Sequence, residues 1–413
     1  MKKKLSEKIS MTNQILIATV LGIVVGLIVG PPIAPIKVVG DVFLRLIQMS
    51  VVVLIMGAVV EAVGSLDPKE LGRLGGKIFA WFMGLTAIAA AASMVGGFLV
   101  RPGDGITMTM PSTDIQASTQ TVGDMIVGFF PTNIISSMSS GNMIQVIIFA
   151  VLMGVSIGIV LKKNPENRFL NRVRDFNEIV LNIVKTVMVI APIGIFALLA
   201  WVTGTIGISV ILPLVKFLAV FGVTALVHLI FCIVVTSLYV KVNPLIVAKK
   251  LKKMTIMAFT TTSSAITLPT KMQDSEIKLG VSKRISNLVN PLGMALNSNG
   301  LSMYLSLACI TLAQFYNIEL TLVKLVQIVV LSSLACLGTV VVPGGGLVAL
   351  ATVVPALGLP AESIALLAGI DWFSGMFRTV LNVDVDALVA MVIAKDEKEL
   401  DYAILQDPAN ANL

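Results

Sequence analysis

The sequence predicts an all-α, polytopic membrane protein, and three observations support this class. Of its 413 residues, 56% are hydrophobic and only 13% are charged, whereas about a quarter of the residues in a soluble protein are charged. The mean hydropathy is +0.95. Apolar runs of about 20 residues, the length that crosses a bilayer as a helix, recur along the whole chain. We therefore expect many transmembrane helices in contact with lipid and no sizeable soluble domain.

Composition also excludes several classes of function. The net charge is +7, but the basic residues cluster in loops and are not interleaved with aromatic residues, so no nucleic-acid partner is expected. Each cysteine lies alone in an apolar segment, which predicts neither a disulfide nor a metal pair. The single histidine, His228, is interpreted as a core histidine with a satisfied hydrogen bond and no further role. We expect no cofactor.

Basic loops predict the topology of the first half of the chain. Lys2, Lys3 and Lys4 place the N-terminus in the cytoplasm by the positive-inside rule. The opening residues lack a signal-peptide cleavage site, so the first span is expected to stay in place. The loop at 102–123 has no Lys or Arg and is expected outside. The predicted spans are residues 12–30, 38–63, 78–100, several short pieces within 125–161, 178–202 and 208–240.

A first re-entrant hairpin is predicted between two basic clusters that both belong in the cytoplasm. The segment MTIMAFTTTSSAITLPTKM at 254–272 is polar at its centre and too short to cross the membrane twice as helix. A hairpin with its tip at 260–264 satisfies both facts, because non-helical backbone at membrane depth is tolerated only against protein or water. A cytoplasmic amphipathic helix is the alternative.

A broken helix is predicted next, over residues 285–312. The motif NPLGMALNSNG at 290–300 would unwind the helix near its middle and free backbone groups to meet a ligand. A helix that is merely kinked at Pro291 is the alternative. The motif CLGTVVVPGGGL at 336–347 then predicts a second hairpin, which enters from the outside. Two hairpins from opposite faces are typical of inverted repeats around a midplane site and predict alternating access.

The last predicted helix, residues 369–395, carries charges that are expensive inside a membrane. One face of this helix presents Asp371, Gly375, Arg378, Asn382 and Asp386, spaced by about one turn each. Asp384 points to the opposite side. A guanidinium, an amide and carboxylates on one face, with a glycine between them, indicate a binding surface. A buried ion-pair network that locks the helix to a neighbour is the alternative. The residues after Lys398 are polar and expected to be disordered.

From about residue 12 to 395 the chain resembles the glutamate transporter homologues, the dicarboxylate/amino acid:cation symporter family. The resemblance rests on four motifs in that family's order: TTTSSAITLP at 260–269, NPLGMALNSNG at 290–300, LGTVVVPGGG at 337–346 and DWFSGMFRTVLNVDVD at 371–386. It implies eight transmembrane helices, two re-entrant hairpins and an elevator-type mechanism. It also implies a homotrimer in the plasma membrane, with both termini of each chain in the cytoplasm.

The resemblance divides the chain into functional parts. It implies scaffold helices 1 and 2 in residues 1–77, and transport-domain helix 3 with the outer loop in 78–123. Residues 124–240 would hold scaffold helices 4 and 5 and helix 6. The transport core would be 241–400, followed by a polar tail at 401–413.

The resemblance also implies roles for individual residues. Arg378 would bind a substrate carboxylate, which its guanidinium matches in geometry. The other implied substrate-binding residues are Thr379, Asn382, Ser263, Ser264, Gly375, Val342, Gly344 and Gly345. The implied cation-binding residues are Asp386, Asn382, Asn297, Gly293, Ser298, Asn299, Thr86, Cys336, Leu337 and Thr339. The cation would be Na⁺, with H⁺ as the alternative.

Several positions depart from the family's pattern. Gly375 stands where amino-acid transporters of the family have an aspartate for the substrate amine, and Thr262 stands where the first tip often has an arginine. Asn299 replaces an aspartate of the unwound helix, and Ala87 replaces a serine beside Thr86. These changes favour amine-free substrates and weaken one cation site.

We therefore expect a Na⁺- or H⁺-coupled symporter of a small carboxylate, either an acidic amino acid or a C4-dicarboxylate. A neutral amino acid carrier of the same family and an anion-conducting channel are the alternatives. An intramembrane enzyme is not expected, because Ser263 and Ser264 lack a partner base.

Overall fold

The computed structural model describes residues 11–64, 74–105, 130–140, 142–207, 211–336 and 345–407, together with single residues 127, 209 and 410. In this part of the chain helices are the only extended regular elements, and one isolated antiparallel bridge joins Val281 and Leu400. The α-helices are α1 (Met11–Val29), α2 (Lys37–Gly64), α3 (Gly76–Val100), α4 (Ile134–Ser139), α5 (Met143–Lys163), α6 (Phe169–Val189), α7 (Ala191–Ile206), α8 (Ile211–Val240), α9 (Pro244–Thr261), α10 (Ser264–Ile277), α11 (Lys283–Leu296), α12 (Asn299–Phe315), α13 (Leu322–Leu334), α14 (Gly345–Ala356), α15 (Ile364–Ala368), α16 (Asp371–Asp396) and α17 (Tyr402–Gln406).

The first three predicted spans are confirmed as helices to within two residues at each end. By length and composition, α3 and α8 are each long and apolar enough to cross a membrane. The predicted span at 178–202 is not one continuous helix, because the helix is interrupted at Ile190 between α6 and α7. Pro192 lies in the first turn of α7, where its missing N–H costs no helical hydrogen bond. A proline at this position starts a new helix rather than continuing the old one.

At the first predicted hairpin the structure has two antiparallel helices, α9 and α10, joined by a tight turn. Thr262 ends α9 in the left-handed region, with φ 50°, and its N–H donates to Ala258 O at 3.0 Å. Ser263 caps α10 by accepting from Ile266 N at 3.3 Å. The helices then run back along each other, since Thr270 Oγ1 donates to Met257 Sδ at 3.2 Å. The turn lies inside the predicted tip at 260–264.

The broken helix is also confirmed, and its break lies after the proline. Pro291 is accommodated within α11, which continues to Leu296. Asn297 is extended, with φ −99° and ψ 122°, and Ser298 links it to the start of α12. The helix is therefore interrupted at 297–298 and not simply kinked at Pro291. The tip of the second predicted hairpin, residues 337–344, lies outside the described residues, between α13 and α14.

The helices pack in two groups. One group consists of α1, α2, α5, α6 and α7, and the other of α3 and α8–α14 arranged around α16. Helix α15 contacts α7 of the first group and α14 of the second. The first group is held close by small residues: a Cβ on Gly26 would lie 2.5 Å from Ala200 O of α7. Such glycines let helix backbones approach in a membrane protein.

The C-terminal segment differs from the predicted disordered tail. Residues 402–406 form α17, and Leu405 is fully buried. Lys250 of α9 donates to Ile404 O at 2.7 Å, and Asp401 N donates to Gly280 O at 2.8 Å. A buried leucine and backbone hydrogen bonds hold this segment in place. The prediction of disorder rested on its polar composition, which does not show these contacts.

Candidate functional site

The polar face of α16 is the centre of the candidate site. Asp371, Arg378 and Asp386 are all buried, and the face meets the broken helix α11–α12. Asp384 lies apart from this face, as predicted, because its carboxylate accepts from Thr255 Oγ1 of α9 at 2.7 Å. The charged helix therefore presents one polar face to the interrupted backbone, whereas Asp384 faces α9 of the first hairpin.

Arg378 is fixed by three contacts. Its Nη2 lies 3.0 Å from Asp371 Oδ1 and donates to Asp371 O at 2.9 Å. The guanidinium also stacks 4.6 Å from the centre of the Tyr304 ring of α12. Nη2 thus makes one hydrogen bond and one ion-pair contact with Asp371. This arrangement orients a planar, permanently charged group of the kind that binds carboxylates.

The glycine end of the second hairpin lies directly against Arg378. A Cβ on Gly346 would be 1.9 Å from Arg378 Nη1 and 2.0 Å from Asp371 Oδ1. A Cβ on Gly375 would lie 3.3 Å from Arg378 Nη2. Any side chain at either position would thus crowd the guanidinium. Of the predicted second-tip residues, Gly345 opens α14, whereas Val342 and Gly344 lie outside the described residues, as do Leu337 and Thr339.

The break in the helix is bound to α16 through asparagines. Gly300 N donates to Asn382 Oδ1 at 2.9 Å, and Asn297 Nδ2 donates to Asn382 O at 3.2 Å. Gly300 itself lies against the backbone of α16, where a Cβ would be 2.4 Å from Arg378 Cα. The structure thus brings together the predicted residues of α16 and those of the unwound segment. The backbone groups released at the break bond to the functional face.

Asp386 is bonded by two donors, one of which is charged. Its Oδ1 accepts from Asn297 Nδ2 at 2.7 Å. Its Oδ2 forms an ion pair and hydrogen bond with Lys271 of α10, and both side chains are fully buried. Lys271 Nζ also donates to Asn290 O at 3.1 Å. Gly293 lies against the same carboxylate, since a Cβ there would be 2.3 Å from Asp386 Oδ1.

The remaining predicted cation residues lie around the start of α12. Asn299 Nδ2 donates to Asn297 Oδ1, and Asn299 Oδ1 is 3.1 Å from His228 Nε2. Thr86 Oγ1 is buried and has no hydrogen-bond partner within the described part of the chain. Ser298 is buried at the break, whereas Cys336 donates to Ser332 O of its own segment at 2.8 Å.

The predicted hydroxyl ligands bond within their own helices. Ser263 caps α10, and Thr379 Oγ1 donates to Gly375 O at 2.8 Å. Ser264 follows at the first hairpin turn and is 3% exposed. Their roles toward a substrate stay predictions.

The sequence that forms the interrupted helix and the charged helix matches a known family over nearly the whole chain. Residues 11–396 match the sodium:dicarboxylate symporter family. The chain belongs to this family. Its members are secondary transporters of the membrane, so the chain is a symporter and not an enzyme.

Individual members of the sodium:dicarboxylate symporter family are similar over their full length. A proton/glutamate-aspartate symporter of Bacillus subtilis (strain 168) is 35% identical over 396 residues, covering 93% of this chain and 94% of the relative. A proton/sodium-glutamate symport protein of Bacillus caldotenax is 32% identical over 404 residues, covering 94% of this chain and 95% of the relative. A C4-dicarboxylate transport protein of Anaeromyxobacter sp. (strain K) is 30% identical over 404 residues, covering 95% and 91%.

The coupling ion of this symporter family can be Na⁺ or H⁺. Na⁺ prefers oxygen ligands that are free to point their lone pairs at it. At Asp386 one oxygen accepts from an amide and the other from an ammonium. The carbonyl of Gly293 accepts from Asn297 N at 2.7 Å. The donors present at this carboxylate therefore do not fit a bound Na⁺ alongside them.

Two residues of this site, Lys271 and Tyr304, were not predicted from the sequence. Lys271 lies in the predicted first hairpin, and its charge at membrane depth is the same signal that identified α16. Because Lys271 lies near the polar end of that segment, its charge was not recognised as lying at membrane depth. Tyr304 carries no such signal, because an aromatic residue on an apolar helix is ordinarily core. His228 is satisfied, as predicted, but its partner Asn299 belongs to the site.

Proposed function

We propose that this chain transports a small dicarboxylate or an acidic amino acid together with a cation, and that Arg378 binds a carboxylate of the substrate. One observation carries the proposal. Arg378 is a buried guanidinium where the glycine end of the second hairpin, Tyr304 and the start of α12 meet. Asp371 orients this guanidinium through Nη2, which donates to Asp371 O at 2.9 Å and lies 3.0 Å from Asp371 Oδ1.

Gly375 supports an amine-free dicarboxylate as the preferred substrate. The residue leaves the space beside Arg378 Nη2 without a side chain, so no carboxylate is supplied there for a substrate amine. Relatives are named both for glutamate and aspartate and for C4-dicarboxylates. The proposed substrate class is therefore a C4-dicarboxylate such as succinate, with L-aspartate and L-glutamate as the alternatives.

We further propose the membrane arrangement and the motion. Eight transmembrane helices and two re-entrant hairpins would lie in the plasma membrane, with both termini in the cytoplasm. The two packing groups support a division into a scaffold, formed by α1, α2 and α5–α7, and a mobile domain formed by α3, α8 and residues 241–400. The mobile domain would move as an elevator within a homotrimer. The inverted arrangement of the two hairpins would alternate access to the Arg378 site.

Replacing Arg378 tests the proposed function. Arg378→Ala removes the group that pairs with the substrate carboxylate, and hydrogen bonds to charged groups contribute about 1.5–3 kcal/mol each, so we expect a loss of affinity of at least roughly tenfold. The measurement is uptake of labelled succinate, L-aspartate and L-glutamate into proteoliposomes under a Na⁺ or a proton gradient.

Arg101→Ala is the matched control, because Arg101 is exposed at the end of α3 and pairs only locally with Asp104 at 2.8 Å. It should transport as the unchanged protein does. Undiminished uptake by Arg378→Ala would show that the carboxylate binds elsewhere.

A further inference from the structure

The buried ion pair between Lys271 and Asp386 lies at the position where the resemblance to the symporter family implies a bound coupling cation. Lys271 comes from α10 of the first hairpin, and Asp386 from the polar face of α16, 115 residues later. Both side chains are fully buried. A buried carboxylate needs a positive partner, because an unpaired charge in a low-dielectric interior is very costly. Here the protein supplies that partner itself.

The contacts of the ammonium resemble those of a bound cation. Lys271 Nζ donates to the Asp386 carboxylate and to Asn290 O at 3.1 Å. Asn290 lies in the middle of α11, about two turns before the break, so the ammonium joins the hairpin, the broken helix and α16. A metal ion bound by carboxylate and carbonyl oxygens would connect the same elements. A lysine side chain does so as a compact point charge on a flexible stem.

A second cation could not share this position without repulsion. Two unit charges about 4 Å apart repel at an effective dielectric of about 20 strongly enough to weaken binding by on the order of a thousandfold. The other carboxylates of α16 offer no remedy. Asp371 lies about four helical turns away and pairs with Arg378 at 3.0 Å, and Asp384 is turned to α9, where it accepts from Thr255 Oγ1 at 2.7 Å. Asn299, which stands in place of an aspartate at the second implied position, adds no negative charge.

We propose that Lys271 is a tethered cation that replaces Na⁺ at Asp386, so that substrate binding at Arg378 does not depend on Na⁺ at this position. The substrate part of this statement rests on the proposed function. The ion part concerns Asp386 alone and holds for any substrate. Coupling then belongs to an ion other than a Na⁺ held by Asp386.

The test measures the thermal stability of the purified full-length protein without substrate. NaCl is raised while choline chloride keeps the ionic strength constant, because a ligand that binds the folded state raises its stability by mass action. The unchanged protein should show no Na⁺-specific rise in Tm. Lys271→Thr leaves Asp386 without its ammonium and adds a hydroxyl oxygen, so this variant should gain a rise in Tm that saturates with Na⁺.

Lys278→Thr is the matched control. Lys278 is 1% exposed and pairs with Asp274 at 3.2 Å, also next to the first hairpin but away from Asp386. This variant loses a comparable buried ion pair and should not respond to Na⁺. If Lys271→Thr does not fold, Lys271→Met takes its place, and the double variant Lys271→Met with Asp386→Asn should fold without responding to Na⁺.

Three results would overturn the proposal: a saturable Na⁺-specific rise in Tm of the unchanged protein, no Na⁺ response in a folded Lys271 variant, or an equal response in Lys278→Thr. A second experiment measures the binding of succinate and L-aspartate in NaCl and in choline chloride, and it tests whether substrate binding depends on Na⁺. The unchanged protein should bind equally in both salts, and Lys271→Thr should bind at least tenfold more tightly in NaCl. Failure of both substrates to bind, with the Tm results as expected, would contradict the proposed function and leave the tethered cation intact.

Discussion

At the scale of single residues, the orientation of the Arg378 side chain is set by the groups packed closely around it. The guanidinium is bounded by Asp371, by the Tyr304 ring and by the Cα of Gly346. Each boundary removes a direction in which the side chain could turn. A substrate carboxylate therefore meets an arginine whose orientation is already set, which lowers the entropy lost on binding.

Gly346→Ala is predicted to weaken substrate binding by roughly tenfold or more, a loss of about 1.4 kcal/mol. The new Cβ would lie 1.9 Å from Arg378 Nη1 and 2.0 Å from Asp371 Oδ1, so the ion pair must shift. Isothermal titration of the purified protein with succinate and L-aspartate measures the effect. Gly84→Ala in α3 is the control, because a Cβ there meets nothing within 4 Å and affinity should not change. An unchanged affinity in Gly346→Ala would show that the second hairpin is not close to bound substrate.

At the scale of elements, α11 is held at its start by residues that follow α16. Ser282 caps α11 by accepting from Ile285 N at 3.3 Å and also donates to Glu399. Arg284 donates to the same carboxylate from Nη2 at 2.7 Å. The start of the broken helix and the end of the charged helix are thus joined to each other, in addition to the contacts at the site. This clamp fixes the register in which Asn297 meets Asp386.

The clamp predicts a pH dependence of stability. Hydrogen bonds from Arg284 and Ser282 hold the pKa of Glu399 below its ordinary value of 4.5. A lowered pKa means that this stabilisation is complete above pH 4.5 and is lost as the pH falls through the folded-state pKa. Because the pair is partly solvated, the loss should be at most about 1 kcal/mol. The measurement is thermal unfolding at neutral pH and in acid. Acid should lower the Tm of Glu399→Gln less than it lowers the Tm of the unchanged protein. Glu319→Gln, on an exposed loop, should show the same decrease as the unchanged protein. An equal decrease in all three proteins would place the acid sensitivity elsewhere.

Much of this element order could be predicted from sequence, and the exceptions have physical causes. Prolines, glycines and polar tips predicted the hairpin at 260–264 and the break at 297–298, because these residues act on the local backbone. The break between α6 and α7 was missed, since Pro192 lies in an apolar run that continues through both helices. Helix α17 was missed because its order comes from contacts with distant Gly280 and Lys250.

For the site, the polar face of α16 could be predicted because it depends on helical spacing alone. The partner that each side chain contacts could not be predicted. The ion pair between Lys271 and Asp386 joins residues 115 positions apart, and only the packing of α10 against α16 shows it. The predicted Na⁺ position thus holds a side chain whose charge was visible in the sequence but whose location was not.

At the scale of the whole molecule, the two packing groups meet across a small set of helices. Helices α15 and α14 contact α7 and α2, and Gly369 lies against Leu199, where a Cβ would be 2.6 Å from the leucine side chain. If the group around α16 moves past the other, this contact must separate in every cycle. The glycine there removes one obstacle to sliding.

A cross-link across this contact is predicted to stop transport. Leu199→Cys in α7 combined with Gly369→Cys in the turn before α16 places two thiols across this contact, and their oxidation to a disulfide would tie the groups together. Uptake should fall to background after oxidation and recover on reduction, whereas each single-cysteine variant should be insensitive. Full uptake by the cross-linked pair would show that the two groups do not move relative to each other.

The position of Lys271 on α10 has an electrical consequence. A metal ion that travels with the substrate is released on the far side and adds its charge to every cycle. In the proposed elevator motion, an ammonium attached to the moving domain would cross with the loaded site and return with the empty one, so its net displacement over a cycle would be zero. Membrane potential acts on net charge moved, at about 2.3 kcal/mol per charge per 100 mV. The driving force that the voltage gives this carrier is therefore set by the substrate and the coupling ion alone.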